Sequence, residues 1–398
     1  MTAAEIRPLA VGEERVAFEL LGRSLHATVT DEVWECRAGS FPAERRFAAF
    51  AGGDPVGVAG SFATRLAVPG GKALPAAAVD GVGVRADHTR RGILTALMAA
   101  QLEDCARRGD VVAVLHASET TIYGRFGYGV ATRSQALRVT RAALRPDAPA
   151  GGAVRLLSTA EARDVVPRLY AGPALRPGMI ERPDVWWSYA RHRLIGEHQV
   201  AVHTGPDGDD GFVLYRTEDV RTFDHPNTGA VLTVRDLHAA DTRALAGLWR
   251  FLLRVDLVSE IRAPGRPLGD PLRTVLTDPR AAAVTGLDDE LWLRLVDVPA
   301  ALAARTYGPG EPVVVEVSDP LLPSNTGRYR IGPEEVRTTA AEPELRMAPD
   351  VLAMLYLGDA LPSALAAAGR IEVADAAALP RADTLFPVPV PPWCGTPF

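Results

Sequence analysis

The stretch Val79–Met98, VDGVGVRADHTRRGILTALM, decides how the rest of the chain is read. Valine and glycine alternate through Val82, Gly83 and Val84, the pattern of an extended segment. The pattern stops at Arg90, Arg91 and Gly92. Beyond it Ile93, Leu94, Leu97, Met98, Leu102 and Cys105 recur at helical spacing, and Gly109 stands where such a helix would end. A strand that passes through two arginines and a glycine into a helix has a physical use. The first N–H groups of a helix lack intrahelical partners, and the macrodipole makes that end positive. Gly92 lets the backbone approach a ligand, and Arg90 and Arg91 add cationic donors, so the turn is a receptor for phosphate.

A second strand, VVAVLHA (111–117), follows the helix. If it lies beside the first strand but splays from its end, a wedge opens in the sheet. A narrow ligand with a pyrophosphate at one end and an extended amide arm at the other fits such a wedge, and coenzyme A has that shape. The next segment, SETTIYGRFGYG (118–129), predicts a short helix that brings Tyr123 near the wedge. A tyrosine with an ordinary pKa of about 10 is a proton donor at neutral pH, able to protonate a leaving thiolate.

Bulk properties bound the alternatives. The chain has 398 residues, enough for two or three domains. Its 47% hydrophobic and 23% charged composition is that of a globular protein. A net charge of −6 argues against a nucleic-acid partner and suits a cationic substrate. Three cysteines, Cys36, Cys105 and Cys394, are too few and too scattered for a disulfide framework or a zinc site, and no metal site is expected. No apolar run has the length of a membrane span, and the first residues show no apolar signal core. A reducing cytoplasm is the expected location, with export lacking a recognisable signal as the alternative.

Along the chain the fold class is α/β, of the mixed α+β kind. The first block predicts helices over Arg15–Leu20 and Asp31–Arg37 and strands over Phe47–Ala51, Val56–Arg65 and Ala77–Val84. The helix after the arginines, strand Val111–His116, short helix Thr120–Arg125 and strand Ala131–Val139 complete it. RPDAPAGGA (145–153) reads as a linker. The second block repeats strand, helix, strand over Val231–His238, Thr242–Leu253 and Asp256–Arg262, but its strand enters the helix through AADT, without an arginine-rich turn. The third block opens on strand Leu291–Val296 and ends in proline-rich FPVPVPPWCGTPF, expected to be extended. The domains are expected at 1–148, 149–286 and 287–398.

The run VGVRADHTRRGIL, followed by LHASETTIYGRFGYG, resembles the GCN5-related N-acetyltransferase (GNAT) superfamily, and within it the Eis family of multi-acetylating aminoglycoside N-acetyltransferases. The resemblance spans essentially the whole chain. It implies an active GNAT domain with a mixed, splayed sheet, a second GNAT-like domain that lacks the pyrophosphate loop, and a C-terminal domain similar to sterol carrier proteins. It further implies acetyl-CoA as co-substrate and a homohexamer, a dimer of trimers. At matching positions Val82, Gly83 and Val84 would meet the pantetheine arm. Arg90, Arg91, Gly92, Ile93 and Leu94 would form the pyrophosphate loop, Ser118 would lie beside the thioester arm, and Tyr123 would be the general acid. The free carboxylate of Phe398 would fold into the site as general base. Trp34, Glu35, Asp80 and Gly81 are candidate acceptor contacts.

The sequence departs from the superfamily pattern at Thr89 and Leu94, and Pro397 stands where an acidic residue would help grip a polyamine. Two rival readings differ in kind. One is a lysine or polyamine acetyltransferase without antibiotic activity. The other is a lipid-binding, sterol-carrier-like protein with a vestigial acetyltransferase site.

Overall fold

The computed structural model describes residues 4–140, 142–172, 175–219 and 229–398. They divide into two compact units. One comprises Met1–Thr132, Leu175–Trp186 and Asp289–Phe398, the other Arg133–Ala174 and Trp187–Asp288.

The first unit begins with β1 (Glu5–Pro8), α1 (Glu14–Ser24), α2 (Asp31–Arg37), β2 (Arg46–Ala51), β3 (Asp54–Ala67) and β4 (Ala73–Val84). These strands form an antiparallel meander. Gly52 and Gly53, both at positive φ, turn β2 into β3 in two residues, the primed turn that matches strand twist. Helix α3 (Ile93–Arg108) then crosses over to β5 (Val112–Leu115), which runs parallel to β4. Gly109 ends α3 at φ 78°, with Gly109 N–H donating to Ala106 O and Asp110 N–H to Cys105 O, so the last carbonyls are satisfied. The short α4 (Thr120–Tyr123) and β6 (Gly129–Val130) follow.

Two features of β4 shape the site. Its pairing with β5 covers only Ala76–Ala78 against Val112–Val114, while β4 itself continues to Val84. The strands therefore splay where the sequence suggests a wedge. The second feature is a β-bulge. Val58 faces Gly83 and Gly60 faces Asp80, so Gly81 and Val82 share one partner, Ala59. Gly81 sits at φ 62°, a conformation that a side chain would strain, and the bulge bends the outer half of β4.

The second unit holds β7 (Arg133–Val139), β8 (Ala153–Leu157), α5 (Thr159–Ala171), α6 (Asp184–Glu197), β9 (Gln199–Gly205), β10 (Gly208–Glu218) and β11 (Ala230–Ala239). Helix α7 (Thr242–Leu252), β12 (Val258–Pro267), α8 (Leu272–Val275) and β13 (Ala282–Asp289) follow, and α6 begins on the first unit's side of the boundary. Its seven-stranded sheet runs β13-β7-β12-β11-β10-β9-β8, with β11–α7–β12 as the parallel crossover. Trp249 of α7 is fully buried against it.

The remaining elements return to the first unit: β14 (Trp292–Leu295), α9 (Val298–Ala304), β15 (Val313–Val317), β16 (Gly327–Ile331), β17 (Val336–Thr338) and β18 (Leu345–Met347). Helices α10 (Pro349–Tyr356), α11 (Pro362–Ala367) and α12 (Ala378–Leu385), with β19 (Ile371–Val373) between the last two, complete the set. A five-stranded sheet runs β17-β16-β15-β18-β19. Arg305 is buried after α9 and donates to Leu355 O, Tyr356 O and Phe386 O, so one guanidinium caps the C-terminal ends of α10 and α12.

Two strands belong elsewhere than the linear reading places them. Arg133–Val139, read with the first block, lies in the second sheet between β12 and β13. The segment read as opening the third block, β14, lies in the first sheet between β5 and β6. The reason is burial. All four residues of β5 and all four of β14 are buried, so β5 needs a hydrogen-bonding neighbour on each side, and β14 supplies the one that β4 does not. Strands β1, β8, β13, β17, β18 and β19 and helices α8 and α12 are absent from the sequence reading, and the segment Val185–His192, with Trp186 and Trp187, lies in α6.

Candidate active site

A cleft of about 670 Å³ opens where β4 leaves β5. Its walls include Val82, Gly83 and Val84 of β4, Arg90 and Gly92 of the turn, Ile93 and Leu94 of α3, and Ser118 and Tyr123 after β5. The turn has alternating hand. Arg90 is at φ 59° and Gly92 at φ 80°, with Arg91 between them outside the left-handed region. Such a backbone aims successive N–H groups at one point. No side chain caps α3, and a Cβ on Gly92 would meet nothing within 4 Å, so the space before the helix is open. This donor set fits a pyrophosphate. Arg91 is exposed and is not among the lining residues. Gly83 has a packing reason as well. A Cβ there would lie 2.9 Å from Ser24 Cβ, so its absence lets the end of α1 close down on β4.

Tyr123 is buried, and burial pushes its hydroxyl above the ordinary tyrosine range, while a hydrogen bond from Ser118 acts in the other direction. The phenol therefore keeps its proton at neutral pH. The glycines that follow serve packing. A Cβ on Gly127 would stand 2.9 Å from the Arg294 guanidinium, and one on Gly129 would stand 2.0 Å from Asp350 O.

The last residues are docked. Trp393, Cys394 and Thr396 are buried. The Phe398 ring meets His116 edge-on at 4.7 Å between centroids and Phe62 at 5.7 Å. His116 Nε2 donates to Thr396 O at 2.9 Å, and Trp186 Nε1 donates to Pro397 O at 2.8 Å. The tail thus ends beside the residue that follows β5, two positions before Ser118.

Residues 5–131 match the acetyltransferase (GNAT) domain family, residues 178–295 match a second acetyltransferase (GNAT) domain family, and residues 298–395 match the sterol carrier protein domain. An uncharacterised N-acetyltransferase from Streptomyces griseus is 36% identical over 390 residues, 92% of each chain. N-acetyltransferase Eis from Mycobacterium bovis is 39% identical over 362 residues, 85% of each chain. The chain belongs to the Eis family of GNAT acetyltransferases. The crystal structure of Eis1 from Mycobacterium abscessus superposes with a TM-score of 0.90 at 39% identity, over 99% of this chain and 100% of that one. An Eis-family chain is an acyltransferase, and GNAT domains use acetyl-CoA as co-substrate.

The Eis-family site is gathered unevenly from the sequence reading. The cleft unites the β4 residues, Arg90, Gly92, Ile93, Leu94, Ser118 and Tyr123. The four candidate acceptor contacts lie off its lining. Asp80 is bound to the buried Arg46 at 3.0 Å, so its charge is already committed. Gly81 is the bulge residue, Trp34 packs on Phe18 at 5.6 Å, and Glu35 is exposed. His88, Thr95 and Arg125 line the cleft without having been singled out. Arg125 carried a signal, a cation two residues beyond Tyr123 in an otherwise apolar turn. In the second unit the helix equivalent to α3 is α7, and Asp241 accepts from Ala244 N–H at its N-terminus. An internal carboxylate there takes a donor that the first unit's helix leaves open. Among the described residues no helix is long and apolar enough to cross a membrane.

Proposed function

We propose that the cleft binds acetyl-CoA and that the enzyme acetylates primary amines of aminoglycosides or similar polycationic acceptors. The observation that carries this reading is a single cleft lined by the free end of β4, the Arg90–Gly92 turn and Tyr123. The outer half of β4 has peptide groups free of β5 to pair with the pantetheine amides. The open N–H groups of α3, with Arg90, hold the pyrophosphate. A backbone N–H of β4 near the thioester carbonyl stabilises the oxyanion as the amine attacks. The new C–N bond forms first, and collapse of the oxyanion then breaks the C–S bond. Tyr123 gives its proton to the departing thiolate, and the Phe398 carboxylate takes the proton lost by the nitrogen. No covalent enzyme intermediate forms.

A net charge of −6 supports a cationic acceptor. We further propose a homohexamer, checked by light scattering, and a reducing cytoplasm, which suits three unpaired cysteines. The reading is tested by thiol release from acetyl-CoA with a multi-amine aminoglycoside, spermidine and a lysine peptide in parallel. Release of more than one CoA per aminoglycoside is expected. Release with spermidine or the peptide alone transfers the activity to the rival acceptor class, and no release with any amine overturns the reading.

A further inference from the structure

The docked tail is held, chiefly through its backbone, by side chains from distant parts of the chain. Glu290, just before β14, holds its N–H edge. Oε2 accepts from Cys394 N–H at 3.0 Å and Oε1 from Gly395 N–H at 2.8 Å, and the Thr132 hydroxyl donates to Oε2 at 2.8 Å. Arg182 holds the opposite edge. Its Nη2 donates to Gly395 O at 3.2 Å and its Nε to Thr396 Oγ1 at 3.0 Å, with the guanidinium 4.4 Å above the Trp186 ring. Gly395 makes this possible. It sits at φ 65°, and a Cβ there would come within 2.3 Å of the Trp393 ring. With Gly395 left-handed, consecutive N–H groups converge on one carboxylate, as in an anion-binding nest.

We propose that Glu290 is a positioning residue for acyl transfer, fixing the tail so that the Phe398 carboxylate reaches the incoming amine. The proposal rests on the reading of Phe398 given above. Glu290 meets three donors with both of its carboxylate oxygens. Glutamine offers one oxygen and turns an NH2 toward a backbone N–H. Aspartate keeps the charge but is one methylene short.

The test compares wild type, Glu290→Gln, Glu290→Asp and a chain with two residues appended after Phe398. Turnover, acetyl-CoA affinity by calorimetry, and hydrogen exchange of the 386–398 segment are measured for each. Glu290→Gln is expected to keep the wild-type acetyl-CoA affinity, to exchange its tail amides faster, and to lose about a hundredfold in kcat, the scale on which ångström misplacement acts. Glu290→Asp should recover part of that loss. Wild-type kcat in Glu290→Gln, or a parallel fall in acetyl-CoA affinity, overturns the proposal. If the appended chain loses turnover while Glu290→Gln does not, the Phe398 reading stands and Glu290 has no positioning role. If the appended chain turns over normally, the Phe398 reading falls, and the proposal falls with it.

Discussion

Tyr123 lines the cleft, and its environment favours the neutral phenol that the proposed general-acid role requires. Replacing it with phenylalanine should lower kcat by about 10²–10⁴, the usual worth of a general acid, and leave acetyl-CoA affinity unchanged. The pH dependence has a definite sign. Burial raises the phenol above its ordinary value of 10, so the donor stays protonated to higher pH. Any alkaline decline in kcat due to Tyr123 therefore lies above pH 10 and is absent from Tyr123→Phe. The cysteines give an independent check on burial. The Cys105 thiol is pushed up to about 12 by burial, Cys394 is also raised by burial, and Cys36 is partly exposed. Iodoacetamide at pH 8 should label one thiol per native chain and three in denaturant. Tyr123 and the arginine turn were legible in the sequence because their meaning is local. Asp80 was not, because the partner that commits it, Arg46, lies 34 residues earlier in sequence and meets it only in the folded sheet.

At the scale of elements, the contrast lies between α3 and α7. Both follow a strand and cross over to a parallel partner, but α3 begins at an open left-handed glycine and α7 at an aspartate cap. Gly92→Ala has room for its methyl, so its cost comes from the left-handed backbone, about 1 kcal/mol. It should weaken acetyl-CoA binding by shifting the N–H groups, as calorimetry would show. Asp241→Ala should cost about 1 kcal/mol of stability in a denaturant titration, the worth of a cap, and leave turnover unchanged. The long strands and α3 were visible through their periodicity. The strands that escaped notice include β1, β8, β17 and β19, all at sheet edges. An edge strand is partly exposed and does not need strict alternation, so its pattern is weak.

Across the whole molecule, segments distant in sequence meet in the first unit. Strand β14 supplies the neighbour that β5 needs, and its Arg294 forms a buried pair with Asp319, with Nη2 at 2.6 and 2.7 Å from the two carboxylate oxygens. Asp319 also accepts from Asn325 Nδ2 and from the N–H groups of Leu321 and Leu322. Asp319→Ala strands a buried guanidinium and should cost about 3–5 kcal/mol in thermal or denaturant unfolding. The strand exchange was illegible because nothing in RSQALRV (β7) or WLRL (β14) names its partner, and only the three-dimensional sheet tells which strand each pairs with. The tail was half legible, since its prolines announced an extended segment while the residues that grip it come from three separate segments.

The central claim is that the cleft between β4 and β5 is the acyl-CoA site. Its most direct test is calorimetric titration of acetyl-CoA into wild type and into Arg90→Ala/Arg91→Ala. One equivalent bound per wild-type chain, with affinity at least about tenfold weaker in the variant from lost charge-assisted hydrogen bonds, is the predicted result. No binding to wild type, or equal affinity in both, would contradict it.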